Sequence, residues 1–260
     1  MKNLSDFTQL AYLKSAAIRP DAEVHSDARL AYLLTPSRPE RWYNGFSRCH
    51  YGPEDFETLA RLTLDLKKRG INFNWHLWTG SSHPALYEFL TQRVGMVPVA
   101  RGQFLSKEIT PDTIATSDFD MRPLGPEHLE DFVRAKMLGW GNTDEVRAEV
   151  RAAAEYHLGD PRNVSLGLWQ DSHLVAAVSA YCENHMAYLR GDFVLPDLRG
   201  RGLYRELVAY REAFLAARGV RYLTGIADES SSEPILRRQG YEIHESIRVL
   251  ALRPTPWVSL

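Results

Sequence analysis

Arg199-Gly200-Arg201-Gly202 is the run whose residue types and spacing could do chemistry, with Arg205 one helical turn further on. Two glycines let the backbone approach a ligand closely, and three arginines bring positive charge. Placed between a strand and a helix, such a run aims free backbone N–H groups and a helix N-terminus at an anion. A phosphate-bearing ligand is the natural guest. The competing reading is a plain strand-to-helix turn whose arginines are merely solvated, because short glycine motifs are weak evidence by themselves.

The elements that must position this run are legible on both sides. Met186 to Leu195 is apolar and β-prone, and Pro196 stops it by removing a ladder donor. After the glycines, Leu203, Leu207, Val208 and Phe214 recur at helical spacing up to Gly219. Upstream, Met121–Leu124 reads as a strand, Glu127–Leu138 and Asp144–Leu158 as helices, and Asn163–Gln170 and His173–Cys182 as strands. Downstream follow a strand at Val220–Ile226, a helix from Pro234 to Gly240 and a strand at Tyr241–Leu252. The second half thus runs β-α-α-β-β-β-α-β-α-β.

The first half shares part of that order. Its helix from Pro53 ends at Arg69-Gly70-Ile71, as the later helix ends at Arg218-Gly219-Val220. Ser82-His83-Pro84 similarly corresponds to Ser232-Glu233-Pro234. Duplication at domain scale explains this order, and coincidence of common turn punctuation is the alternative. Thr110–Asp120 is polar and Pro-bearing, a linker signature. The expected division is therefore 1–115 and 116–260, with the boundary near Thr116.

Composition narrows the class. The 260 residues are 44% hydrophobic and 25% charged, which is ordinary for a globular chain. With 31 basic and 33 acidic residues the net charge is −2, so no general attraction to nucleic acid is expected. Cys49 and Cys182 form no metal-like cluster, and the nine histidines show no ligand spacing, so no metal is expected. No apolar run would span a bilayer and no signal-like core opens the chain, so the expectation is a cytoplasmic protein without a membrane partner.

Val194 to Leu203, V-x-P-x-x-R-G-x-G-L, resembles the acetyl-CoA-binding signature of the GNAT acyltransferase superfamily. In its usual form, [QR]-x-x-G-x-[GA], the signature falls on Arg199, Gly202 and Tyr204, and Tyr204 departs from the small residue of the pattern. The element order of the second half resembles the GNAT fold from end to end. The first half resembles the degenerate leading domain of tandem GNAT proteins, through Asn44-Gly45-Phe46, the strand Trp75–Trp78 and the helix begun by Pro84. It has no arginine-glycine loop. The resemblance implies a mixed α/β fold (α+β mixed sheet) of two tandem GNAT-like domains, with the cofactor site in the second.

The same resemblance implies direct acyl transfer from acetyl-CoA to an amine. The pyrophosphate would be held by Arg199, Gly200, Arg201, Gly202, Leu203, Tyr204 and Arg205. The thioester oxygen would be polarised by an N–H of Phe193, Val194 or Leu195. Period-two reading of the strand puts Tyr188, Arg190, Asp192 and Val194 on one face, so Asp192, its only carboxylate, is the candidate base. An ion pair with an arginine is its alternative role. The family's usual acid position, four before Gly240, is Leu236, which leaves Tyr188 and Tyr204 as candidate acids. Trp140, between the two helices of the second half, would sit in the acceptor pocket unless it is a core residue. The partners expected are acetyl-CoA and an amine acceptor, with self-association into a homodimer left open. A non-catalytic acyl-CoA-binding or regulatory protein is the competing function. A tandem GNAT using charged tRNA would want a basic groove, and the near-neutral charge argues against it.

Overall fold

The spacing rules resolve into seven α-helices and eleven β-strands among the described residues of the computed structural model, which are 2–113 and 118–252. Thr116, where the sequence suggests a boundary, lies outside them. Two compact units emerge, and each contains chain from both sides of that point. Among the described residues, those up to Leu105 group with Ile226–Leu252, and Ser106–Gly225 form the other unit.

The first unit contains α1 (Lys2–Ala16), β1 (Glu23–Ser26), β2 (Leu30–Leu34), β3 (Gly45–Cys49), α2 (Phe56–Lys68), β4 (Asn74–Trp78) and α3 (Ala85–Glu88). A π-helical segment, Phe89–Val94, continues α3, and most of β5 (Val97–Glu108) follows. Strand β3 runs parallel to β4, whereas β1–β2, β2–β3 and β4–β11 are antiparallel, β11 being Glu242–Ala251. Strand β1 escaped the sequence reading because its residues are mostly exposed and carry no apolar alternation. The Trp75–Trp78 run is core as its alternation suggests: Trp75 stacks on Phe46 at 4.2 Å between ring centroids, and Trp78 packs against Phe104 and Ile247.

The second unit contains β6 (Asp120–Pro123), α4 (Leu129–Trp140), α5 (Arg147–Gly159), β7 (Asn163–Gln170), β8 (His173–Glu183), β9 (Met186–Val194) and α6 (Leu203–Ala217), then the start of β10 (Tyr222–Asp228). Its strand order is β10-β9-β8-β7-β6, with β9–β10 parallel and the rest antiparallel. Phe132, Val133 and Met137 of α4 and Val150 of α5 pack onto Trp169, Ala177 and Phe193 of the strands. Helices α2 and α6 end alike. Ile71 N–H reaches back to Leu66 O, and Val220 N–H to Leu215 O. The remaining elements, α7 (Glu233–Arg238) and β11, belong to the first unit.

Candidate functional site

The site is built where β9 ends and α6 begins. The register of β9 with β10 stops at the Leu189–Gly225 pair, so from Arg190 onward that edge of β9 has no strand partner among the described residues. Leu195 N–H donates to Val175 O at 3.0 Å, on the β8 side. Successive residues of a strand direct their N–H groups to opposite edges, so Val194 N–H points to the open one. Of the three amides expected near the thioester, Val194 is therefore the one free to meet a ligand.

The turn that follows has the geometry an anion needs. Gly200 and Gly202 sit at φ +76° and +81°, the left-handed region that costs an L side chain about 1–2 kcal/mol. Glu206 N–H closes the first helical bond of α6 onto Gly202 O, so the amides before it have no partner along the helix. Arg201 and Arg205 are exposed beside this turn, and Arg205 also meets Glu206 at 3.0 Å.

Arg199 does a different job from the one its charge suggests. Its Nε donates to Val194 O at 3.1 Å and its Nη2 to Gly139 O at 2.5 Å. The guanidinium thus ties the end of β9 to the last turn of α4 rather than reaching for a phosphate. Gly139 makes that approach possible, since a Cβ there would lie 2.7 Å from Phe193 Cδ2. Gly139→Val is expected to overpack this contact and lower stability by about 1–3 kcal/mol. A fall in the urea midpoint at unchanged slope checks it, with weakened coenzyme A binding as the second readout.

Sequence periodicity misplaced Asp192. Gly191, at φ +65°, and Asp192 together face the single residue Val178 of β8, which is a β-bulge. The extra residue breaks the period of two. Arg190 stays on the α4 side with Lys136, and Phe193 packs there against Phe132. Asp192 turns to α6 instead, so it does not share a face with Tyr188 and Arg190. Its Oδ1 accepts from Ser179 N–H at 3.1 Å and from Arg211 Nη1 at 2.8 Å. Its Oδ2 accepts from Arg211 Nη1 at 2.9 Å and from Tyr204 O–H at 3.0 Å. Those four contacts use the lone-pair sites a carboxylate has. Arg211, 0% exposed, is a partner the sequence reading missed. Tyr204, the bulky departure from the motif, points its hydroxyl at β9 rather than into the turn.

The other candidates lie apart from this cluster. Tyr188 is buried opposite Tyr181, and burial pushes its hydroxyl up to about 12, so it stays protonated at neutral pH. Trp140 ends α4 rather than occupying the bend after it, and at 40% exposure it is not a core residue. Leu236 is buried in α7 and has no proton to give. Among the described residues the first unit shows no second such turn. Gly52 there has φ −91°, Pro53 removes a donor, and Glu54, Asp55 and Glu57 place carboxylates at the start of α2. An anion would be repelled. No group of three metal-ligating side chains occurs among the described residues.

Residues 128–241 match the model of the acetyltransferase (GNAT) family. They form a GNAT-type domain. This domain spans α4 through α7 and contains the whole β9–α6 turn. Similar architectures occur in a GCN5-related N-acetyltransferase of Kribbella flavida, 16% identical over 94% of both chains with a TM-score of 0.68. A GCN5-related N-acetyltransferase of Sphaerobacter thermophilus is 15% identical, covering 98% of this chain and 95% of its own, at 0.63. A tandem GNAT protein of the clavulanic acid biosynthesis pathway is 14% identical, covering 96% and 97%, at 0.59. At such identities the likeness is one of fold: a mixed α/β GNAT architecture, shared with a tandem protein. No curated protein matches the chain.

Proposed function

We propose that the second unit is an acyl-CoA-dependent N-acyltransferase that moves an acetyl group to the amine of a small molecule or to an exposed amino group. One observation carries this reading: two left-handed glycines open α6 after a strand whose register with β10 ends, among the described residues, at Leu189. A linear thioester ligand needs that combination, a strand edge for its amide-bearing arm and a helix start for its diphosphate. Acetyl-CoA, when bound, supplies the activated acyl group.

This chain's residues would then act as follows. The amides of Gly200 to Arg205 hold the diphosphate, with Arg201 and Arg205 adding charge. Val194 N–H polarises the carbonyl to be attacked. Tyr188 is the candidate acid, protonated at neutral pH, although burial makes its hydroxyl a weaker acid than a free tyrosine's. Asp192, with Arg211 and Tyr204, locks the bulge of β9 to the first turn of α6. A direct proton-accepting role for Asp192 would require it to release one of those donors. Trp140, exposed at the end of α4, offers an apolar face to an acceptor.

Steady-state thiol release from acetyl-CoA across a panel of primary amines is expected to reveal at least one acceptor. Leu236, in place of the usual acid, motivates the second reading, an acyl-CoA sensor without turnover. Tight coenzyme A binding with no thiol release on any amine would favour it. No heat on titration with coenzyme A would remove both.

A further inference from the structure

Acyl transfer to an amine needs a group that takes a proton, and the residues placed so far leave that role open. The carboxylate of Asp192 is occupied by Ser179, Arg211 and Tyr204. Tyr188 keeps its proton at neutral pH, and Leu236 has no lone pair to offer. On the α4 side of β9 stands Lys136, 2% exposed. A Cβ added at Gly191 would lie 3.9 Å from the Lys136 amine, so that amine reaches the bulge just where β9 loses its register with β10 among the described residues.

Among the described residues the amine makes no hydrogen bond, and it faces the Phe132 ring at 5.7 Å. It borders a partly open, water-sized space, and no carboxylate lines that space to hold the charged form. Asn163 Oδ1, buried and unbonded there, is an acceptor that can fix a water beside the amine. Gly191 precedes Val194 by three residues, about 10 Å of strand, a gap that one or two waters bridge.

We propose that Lys136, as a neutral amine, is the proton acceptor for the acyl transfer, reached through water across the Gly191 bulge. A substrate R–NH3+ loses one proton by this route, and its lone pair forms the C–N bond as the C–S bond breaks. A second proton from the same nitrogen ends on the departing sulfur, and Lys136 returns the first to solvent. The inference rests on the acyl-transfer reading and fills the one role that reading leaves open.

Burial, with the Arg190 charge next, pushes the Lys136 ammonium down to about 7. The charged groups facing it are Arg190 from β9 and, when protonated, His157 from α5; Asn163 and Ser165 of β7 and Ser179 of β8 carry no charge. Lys136 is thus available in its neutral form at a pH where a substrate amine, ionising at about 10, is still protonated.

The test is the pH profile of kcat/KM for thiol release from acetyl-CoA, with an amine that the parent protein accepts. The parent's rate is expected to climb through about pH 7 and then level off. In Lys136→Met it should keep climbing to the acceptor's own pKa, about 10 for a primary amine. The variant would run roughly 100-fold below the parent at pH 7.5 and meet it at pH 10, where the amine is already neutral. Lys136→Met should also bind coenzyme A as the parent does and unfold no earlier, because an apolar chain replaces a buried amine without a partner. Lys136→Gln should give the same displaced profile. A parent-like profile in Lys136→Met, or a loss equal at every pH, would mean that Lys136 only packs and would overturn the proposal while acyl transfer stands. A parent that releases thiol with no amine would remove the proposal and that reading together.

Discussion

Gly202→Val is expected to bind coenzyme A at least roughly 100-fold more weakly while unfolding only a few degrees earlier. The position has φ +81° and ψ −3°, and the nearest atom to an added Cβ is Arg205 Nη2 at 3.8 Å. Space is therefore not the obstacle. A β-branched residue cannot rest in that backbone conformation, so the turn must rotate and carry the amides of Gly202 and its neighbours away from the diphosphate. Losing two hydrogen bonds to a charged group, at about 1.5 kcal/mol or more each, amounts to about 3 kcal/mol, or more than a hundredfold. The cost to folding stays near the local strain of about 1–2 kcal/mol. Calorimetric titration against coenzyme A decides the matter. An affinity within a few-fold of the parent would mean that the diphosphate lies elsewhere.

The second large effect is on stability. Asp192→Ala leaves Arg211, fully buried, without the carboxylate that sits 2.8 Å from it. Removing one partner of a buried pair costs about 3–5 kcal/mol, which for a chain of this size is a fall in Tm of roughly 6–20 °C. Adding Arg211→Met should restore most of that loss, since an apolar side chain of similar length fits the same space without a charge. The double variant also separates two roles for Asp192. If it only anchors the bulge, thiol release returns with stability. If it carries the acceptor's proton, stability returns and turnover does not.

Much of the fold was legible because its signals are local. Met186–Leu195 reads as a strand from its composition, one residue longer than β9, and α6 from the spacing of Leu203, Leu207, Val208 and Phe214, although Leu215 rather than Phe214 is buried in its last turns. The β9–α6 turn was visible from its glycines alone. What failed was a period-two count carried through Gly191. An isolated glycine in a strand pattern is itself a bulge signal, and heeding it would have turned Asp192 to the other face. Arg211 also left a trace, since it falls in the apolar register of α6 where a solvated charge has no place. The burial of Lys136 left none. Lys136 follows four residues after Phe132 on α4, and nothing local distinguishes a buried lysine from one whose head reaches solvent. Only the packing of α5, β7, β8 and β9 around it makes that difference.

The chain visits the first unit, leaves it inside β5, and returns inside β10 to contribute α7 and β11. Ile247 to Ala251 of β11 then pair with Trp78 to Asn74 of β4, more than 160 residues upstream. A ribosome therefore adds more than 160 residues after β4 before the leading unit can close its sheet. Fragments made by cutting between residues 113 and 118 would each be incomplete, the leading one missing a strand and the trailing one carrying an orphan. Mixing the two pieces should recover the native circular dichroism that neither has alone.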